Sequence, residues 1–217
     1  MTAAVRLAVV SAGIGEPSST RLLADRMAET TRLALAEQDR ETEVEVLELR
    51  ELASEIGNTF VTGFPGTNLR AAVETVTEAD GLIAVTPVFS ASYSGLFKSF
   101  FDVVGMTDDE ALRAKPVLLG ATGGSPRHSL VLEHAMRPLF AYLRAVTVPT
   151  AVYAATDDWA APDDGVTPSL PRRLARAGGE LAGLLAPHPH TTGGAARRDE
   201  PDVVPFAQQL AALRVEE

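Results

Sequence analysis

Residues able to do chemistry are concentrated in three short segments. The first is SAGIGEPSSTR, where Ser11, Ser18, Ser19 and Thr20 lie between an apolar run and an amphipathic stretch. Free amides at a helix start carry partial positive charge, and hydroxyls add donors without a cation, so this loop suits a phosphate. It is not a Walker-type loop, which needs Lys followed by Ser or Thr, and Gly13 and Gly15 lack the third glycine of a dinucleotide fingerprint. A capped helix after a flexible turn accounts for the same residues. The second segment is TPVFSASYSGLFKSFFD, residues 86–102. Pro87 fixes the backbone, Phe89 and Tyr93 offer flat apolar surface, and Ser90 and Ser92 offer polar contacts beside main-chain amides. A planar ring with carbonyls and nitrogens on its edge needs that mixture, although ordinary packing aromatics would read the same. The third segment, GATGGSPRH, holds Thr122, Gly123 and Gly124, where backbone can pass close to a ligand.

Other constellations carry less. The chain has no cysteine, which excludes disulfides, thiolate nucleophiles, cysteine-ligated zinc and iron–sulfur clusters. Redox chemistry would have to come from a bound organic cofactor or a metal site without thiol ligands. His188 and His190 sit in a Gly/Pro/Thr-rich stretch with no third ligand nearby, and His128 and His134 do not share a helix face. Asp157, Asp158, Asp163 and Asp164 lack Ca²⁺-loop spacing. Trp159 either covers a substrate or packs. No metal site is expected, and no side chain is assigned a catalytic role.

The elements that position these loops follow from pattern. Short apolar runs at Val5–Val10, Val44–Leu49, Leu82–Thr86, Pro116–Ala121 and Val146–Tyr153 read as strands, the second polar enough for an edge and the fifth broken or edged by Pro149. Helices are expected over 20–38, 68–79 (Asn68 as N-cap), 94–104, 128–145 with Pro138 as a kink, and 172–185. Residues 50–66 look less regular. The stripe on the first helix is Leu22, Leu23, Met27, Leu33 and Ala34. Strand–helix alternation predicts an α/β, doubly wound, five-stranded parallel sheet of flavodoxin-like order 2-1-3-4-5, with a six-stranded dinucleotide fold as competitor. Residues 1–186 form that domain; 187–217 read as a linker and a short helix over 205–214. In such sheets the loops after strands one, three and four meet at the topological switch point, and those are the three segments above.

With 217 residues, 46% hydrophobic and 22% charged, the chain has the composition of a globular domain. Its 19 basic and 29 acidic residues give a net charge of −10, and no Lys/Arg stripe argues for nucleic acid. No apolar run is long enough for a membrane span and no signal peptide is evident, so a cytoplasmic location is expected.

Over residues 5–185 the chain resembles the NADPH-dependent FMN reductase family. The resemblance rests on the Ser/Thr-rich first loop, the Gly-rich third loop and, most specifically, the TP-aromatic-xxSxxGxxK stretch from Thr86 to Lys98. Within the family, SAGIGEPSSTRLLADRM is most similar to the FMN reductases that partner luciferase-like monooxygenases. The resemblance implies that Ser11, Ser18, Ser19 and Thr20 hold the FMN phosphate. It places Pro87, Val88, Phe89 and Ser90 beside the ring, and Thr122, Gly123 and Gly124 on the ring's other side. It also implies hydride transfer from NADPH or NADH to flavin N5, release of reduced FMN to a monooxygenase, and a homodimer or homotetramer with the flavin near a subunit interface. Many relatives carry Arg inside the first loop. Here that stretch reads Gly13-Ile14-Gly15-Glu16, which leaves Arg21 and Arg127 as substitutes for binding the dinucleotide. An FMN-bound quinone or azo reductase, a flavodoxin-type electron carrier and a flavin-free module remain as alternatives.

Overall fold

The computed structural model describes residues 3–160 and 169–186. The expected linker, the short helix over 205–214, His188, His190, Asp163 and Asp164 all lie outside the described residues. The first strand, β1 (Val5–Ser11), leads into α1 (Ser19–Ala36), followed by β2 (Thr42–Glu48), α2 (Leu49–Thr62) and α3 (Thr67–Glu78). Then come β3 (Gly81–Phe89), β4 (Ser92–Tyr93), α4 (Gly95–Thr107) and β5 (Pro116–Gly123). A π-helical turn (Leu132–Met136) runs into α5 (Arg137–Tyr142), and β6 (Val146–Thr147), β7 (Val152–Ala155) and α6 (Leu170–Leu185) complete the domain.

The sheet order is β2-β1-β3-β5-β6, with β7 also paired to β5 and β4 to β3. Every pairing is parallel except the β3–β4 hairpin. The expected doubly wound order therefore holds, but the strand count does not. The run 146–153 is split into β6 and β7, both on β5, because Pro149 lacks the N–H a continuous ladder needs.

Alternation along the strands sorts the core into two layers. Leu7, Val9, Ile83 and Val85 pack against α1 and α6. Ala8, Val10, Leu82 and Ala84 pack against α2, α3, α4 and α5. On the second face Phe97, Phe101 and Phe140 form an aromatic cluster with ring centroids 4.8 and 4.9 Å apart.

Four local expectations are corrected. Residues 50–66, read as irregular, hold the 14-residue α2, whose Leu49, Ile56 and Thr59 face inward and which stops at Gly63 with φ of 79°. On α1 the buried stripe is Leu23, Ala24, Met27, Ala28, Thr31 and Leu35, whereas Leu22 and Leu33 are exposed. Asn68 does not cap α3; Gly66 holds that place. Glu55 of α2 caps in its stead, its carboxylate accepting from Leu69 N at 2.9 Å and Asn68 Nδ2 at 2.7 Å. Finally, the long helix over 128–145 is broken into a 3₁₀ turn (Pro126–His128), the π turn and α5, which restarts with Pro138 in its first turn.

Candidate functional site

Because β1 pairs with β3 and β3 with β5, all parallel, the three loops leave adjacent carboxyl ends on one side of the sheet. Together they form a cleft of about 310 Å³. The first loop contributes Gly13, Ile14, Gly15, Pro17, Ser18, Ser19 and Thr20. The second contributes Pro87, Val88 and Phe89, and the third Thr122, Gly123 and Gly124. Thr156, directly after β7, completes the lining. Three grooves elsewhere are roomier, about 530 Å³ beside β2 and α3, about 390 Å³ between the end of α1 and the start of β2, and about 640 Å³ between α2, α4 and α5. None of the three lies at the strand carboxyl ends, where an open α/β sheet binds its ligand.

Nine of the eleven expected residues line this cleft; Ser11 and Ser90 do not. Ser11 is buried at the end of β1, and its hydroxyl has no partner. Ser90 sits at the exposed tip of the β3–β4 hairpin. The sequence reading passed over Gly13, Ile14, Gly15 and Pro17 as turn residues and did not name Thr156. The signal for Thr156 was its place as the first residue beyond the last strand, on the same side as the three loops.

The first loop is built to present donors. Ser18 caps α1, its Oγ accepting from Arg21 N at 3.1 Å, so its own proton stays available. Leu22 N is taken by Ser18 O. The amides of Ser19 and Thr20 have no acceptor among the described residues, which leaves two N–H groups at the positive end of an 18-residue helix. A Cβ on Gly13 would lie 2.1 Å from Ser18 Oγ, so only glycine lets this loop fold back over its own cap. Thr20 Oγ1 and Thr122 Oγ1 bond to each other at 2.8 Å in the buried floor. That bond ties the first loop to the third and still leaves one of the two hydroxyl protons free.

The other loops are equally fixed. Pro87 pairs with Thr122 at the end of the β3–β5 ladder, beyond the last β1 partner, Val85; there a missing N–H costs little. Thr86 Oγ1 accepts from Ser94 N at 3.0 Å, and Ser94 Oγ caps α4 through Phe97 N at 3.2 Å. The hairpin turns through Ser90 and Ala91, whose φ angles are 49° and 65°. Phe89 is 46% exposed at the cleft. Tyr93 is half-buried and packs on Phe97, 5.9 Å between ring centroids, at the edge of the core. A Cβ on Gly123 would meet the Tyr153 hydroxyl at 2.1 Å, so a side chain there must displace it. That hydroxyl donates to Ser125 O at 2.8 Å and pins the third loop to β7. Burial, and then Asp158, push the Tyr153 pKa up, so it stays a donor at neutral pH.

No lining residue is charged. The charges around the first loop are paired off instead. Arg50 pairs with Glu16 and Glu48, and Arg21 with Glu48 and with Asp25 at 2.8 Å. The bond to Asp25 is the main reason the Arg21 pKa is raised. Asp158 accepts from Ala155 N at 2.8 Å and pairs with Arg173. Trp159 is half-buried, packing against the α1–α6 layer under the Arg26 guanidinium, 5.6 Å from its ring. Among the described residues, no group of three or more His, Cys, Asp or Glu could hold a metal ion. Among the described residues, no helix is long and apolar enough to cross a membrane.

This donor set fits a flavin mononucleotide. Two free amides and spare hydroxyl protons at a helix start match a phosphate. Ser11 adds an orphaned buried hydroxyl directly ahead of that loop. The Pro87–Phe89 and Thr122–Gly124 edges offer apolar surface with backbone polar groups.

Comparison with known proteins agrees. The chain is 36% identical over 156 residues to an NADH-dependent FMN reductase, SfnF, of Pseudomonas putida, covering 72% of this chain and 80% of that one. It is 37% identical over 161 residues to an FMN reductase (NADPH) of Pseudomonas aeruginosa, covering 73% and 81%. The crystal structure of an oxidoreductase from Corynebacterium diphtheriae superposes with a TM-score of 0.79 at 43% identity, covering 85% and 98%. The model of the NADPH-dependent FMN reductase family matches residues 5–160, and the chain belongs to that family.

Proposed function

We propose that the protein is an NAD(P)H:FMN oxidoreductase that reduces FMN at the cleft and releases it. The observation that carries this reading is the meeting of the donor-rich start of α1 with the Pro87–Phe89 and Thr122–Gly124 edges in one cleft. When bound, FMN supplies the hydride-accepting chemistry, so that NAD(P)H, a proton and FMN give NAD(P)⁺ and reduced FMN. The chain supplies binding and alignment. Ser18, Ser19 and Thr20 hold the phosphate through hydroxyl protons and free amides. Pro87, Val88 and Phe89 set the ring's plane from one side, with Thr122, Gly123 and Gly124 on the other. Ser11 and Ser90 support these loops from just outside the lining. Backbone amides of the second and third loops are placed to offset negative charge on the reduced ring.

The same site supports release. Its donors are neutral groups, and no cation among the lining residues adds a Coulomb attraction to the phosphate. A phosphate held without a cation in contact exchanges more readily. Reduced flavin reacts with oxygen, so a reductase that lets it go needs a consumer. We assign that role to a flavin-dependent monooxygenase of the luciferase-like type, on the likeness of the first loop. Self-association as a homodimer or homotetramer is supported by the face beside α4. Phe60, Met106 and Tyr142, 48%, 59% and 84% exposed, border the groove of about 640 Å³ there. A cytoplasmic location fits a cysteine-free chain that draws on NAD(P)H.

The test is absorbance at 340 nm with NADPH or NADH, with and without added FMN. Oxidation that rises and saturates with FMN is expected. FMN binding with no oxidation of either donor would replace the enzyme with an electron carrier. Turnover that needs a quinone and ignores added FMN would replace it with a quinone reductase.

A further inference from the structure

The donor dinucleotide is more anionic than anything the cleft itself is built to hold, and the lining carries no charge. A cation must therefore come from the rim. The first loop has none to give, since its one charged residue is Glu16, paired to Arg50. Arg21, at the start of α1, is held by Asp25 and Glu48, and Arg50 by Glu16 and Glu48. Each of these guanidinium groups faces two carboxylates and offers an incoming anion little net attraction. Arg173, under β7, is engaged with Asp158 and Tyr153 O.

Arg127 differs. It lies three residues beyond Gly124, in the 3₁₀ turn Pro126–His128. It is exposed and has no hydrogen-bond or ion-pair partner among the described residues. Its base is fixed, because the Tyr153 hydroxyl holds Ser125 O just ahead of the turn. The last lining residue before it, Gly124, stands in open space: a Cβ there would meet nothing within 4 Å. Across the third loop, Asp157 follows Thr156, and its carboxylate has no partner among the described residues.

We infer that Arg127 is the cation that receives a phosphate of the donor dinucleotide, moving to the third loop a task that the acidic first loop cannot perform. The inference rests on the reductase reading. It names phosphate as the chemistry recognised, whether the 2′-phosphate of NADPH or the pyrophosphate shared by both donors.

The test is steady-state kinetics of the full chain and of R127Q and R127K, with NADPH and with NADH at saturating FMN. Calorimetric binding of NADP⁺ and of FMN to each form accompanies it. Replacing the exposed, unpartnered Arg127 leaves the fold intact. In R127Q the KM for NADPH and the Kd for NADP⁺ should rise roughly tenfold, the scale of one lost charge-assisted bond. The Kd for FMN should not move, and R127K should recover most of the loss. A rise for NADPH alone assigns the 2′-phosphate, and an equal rise for NADH assigns the pyrophosphate. Unchanged KM and Kd for both dinucleotides overturns the inference, as does a loss confined to FMN. If the parent chain oxidises neither donor, the reductase reading falls, and the NADP⁺ calorimetry of parent and R127Q still decides Arg127.

Discussion

Gly13 offers a sharp test of how the cleft is held. An added Cβ would stand 2.1 Å from Ser18 Oγ, 3.2 Å from Ser18 Cβ and 3.1 Å from Thr20 Cβ. Gly13 has no positive φ, so alanine is free of backbone strain there. By lowering the entropy of the unfolded chain, G13A alone would stabilise by about 0.4–1 kcal/mol. The clash opposes that gain. Ser18 must turn away, which removes the α1 cap at about 1 kcal/mol, and the crowded loop adds roughly 1–3 kcal/mol of overpacking. The clash wins, and G13A should lose about 2 kcal/mol. At about 2–4 °C per kcal/mol for a domain of this size, Tm falls by about 4–8 °C. The clash has one principal partner, so a double-mutant cycle isolates it. S18G costs a few tenths of a kcal/mol by itself and removes Ser18 Oγ and Cβ, leaving Thr20 Cβ at 3.1 Å as the one remaining close atom. In the S18G background, G13A should then be nearly neutral. The measurement is urea denaturation followed by circular dichroism on all four forms, with FMN titrated into each by fluorescence quenching. Flavin affinity should fall in both single variants, because each disturbs the donors at the start of α1. A G13A protein as stable as the parent, or one that loses the same stability with and without the Ser18 side chain, would refute the geometry.

Three further outcomes follow from the same structure. E55A removes the carboxylate that caps α3 from α2; it should cost about 1–2 kcal/mol, read as a lower urea midpoint with flavin binding retained. A91G relieves a left-handed residue at the hairpin tip. Relief of about 1–2 kcal/mol outweighs the extra freedom of the unfolded chain, so a thermal melt should show Tm rising by a few degrees, whereas a fall would mean the turn is not left-handed at Ala91. Lys115 donates to Thr77 O and Ala79 O, and burial holds its pKa below the ordinary lysine value. Between the lowered and ordinary values the unfolded chain binds more protons, so stability contributed by this site should increase as pH rises through that window. Urea midpoints of the parent and K115M, compared from pH 8 to 10, should show the parent gaining on the variant.

Legibility in the sequence tracked the range of the interactions involved. The strand runs and their order were readable because a buried parallel strand is nearly all apolar, as in LIAVT, and the strand–helix rhythm leaves few topologies. The three loops were readable as a group because switch-point geometry depends on order alone. What failed was set by contacts between distant residues. Leu49, Leu52 and Ile56 carry helical spacing, but Gly57 and the β-branched Thr59, Val61 and Thr62 weaken it, and the packing of α2 beneath the sheet decides the matter. Asn68 looked like a cap because the true cap, Glu55, lies on another helix.

The same distinction governs charge. A net charge of −10 says that the chain is a poor host for anions in general and nothing about whether one cleft can hold a phosphate. Arg21, beside the phosphate-like loop, is the obvious cation in the sequence, and Arg127 is merely one residue in SPRH. Folding reverses their standing. Glu48 is 27 positions from Arg21 and becomes its partner, while Glu16 takes Arg50. Those pairs hold the first loop beside the start of α2, neutralise carboxylates that would repel a phosphate, and consume the local cations in doing so. The cleft is left neutral, which suits a phosphate bound through amides and hydroxyls and released again. Attraction for a second, more highly charged substrate must then come from elsewhere on the rim. A residue's type gives its charge, but its availability belongs to the tertiary structure, and here that availability separates a structural arginine from a recognition one.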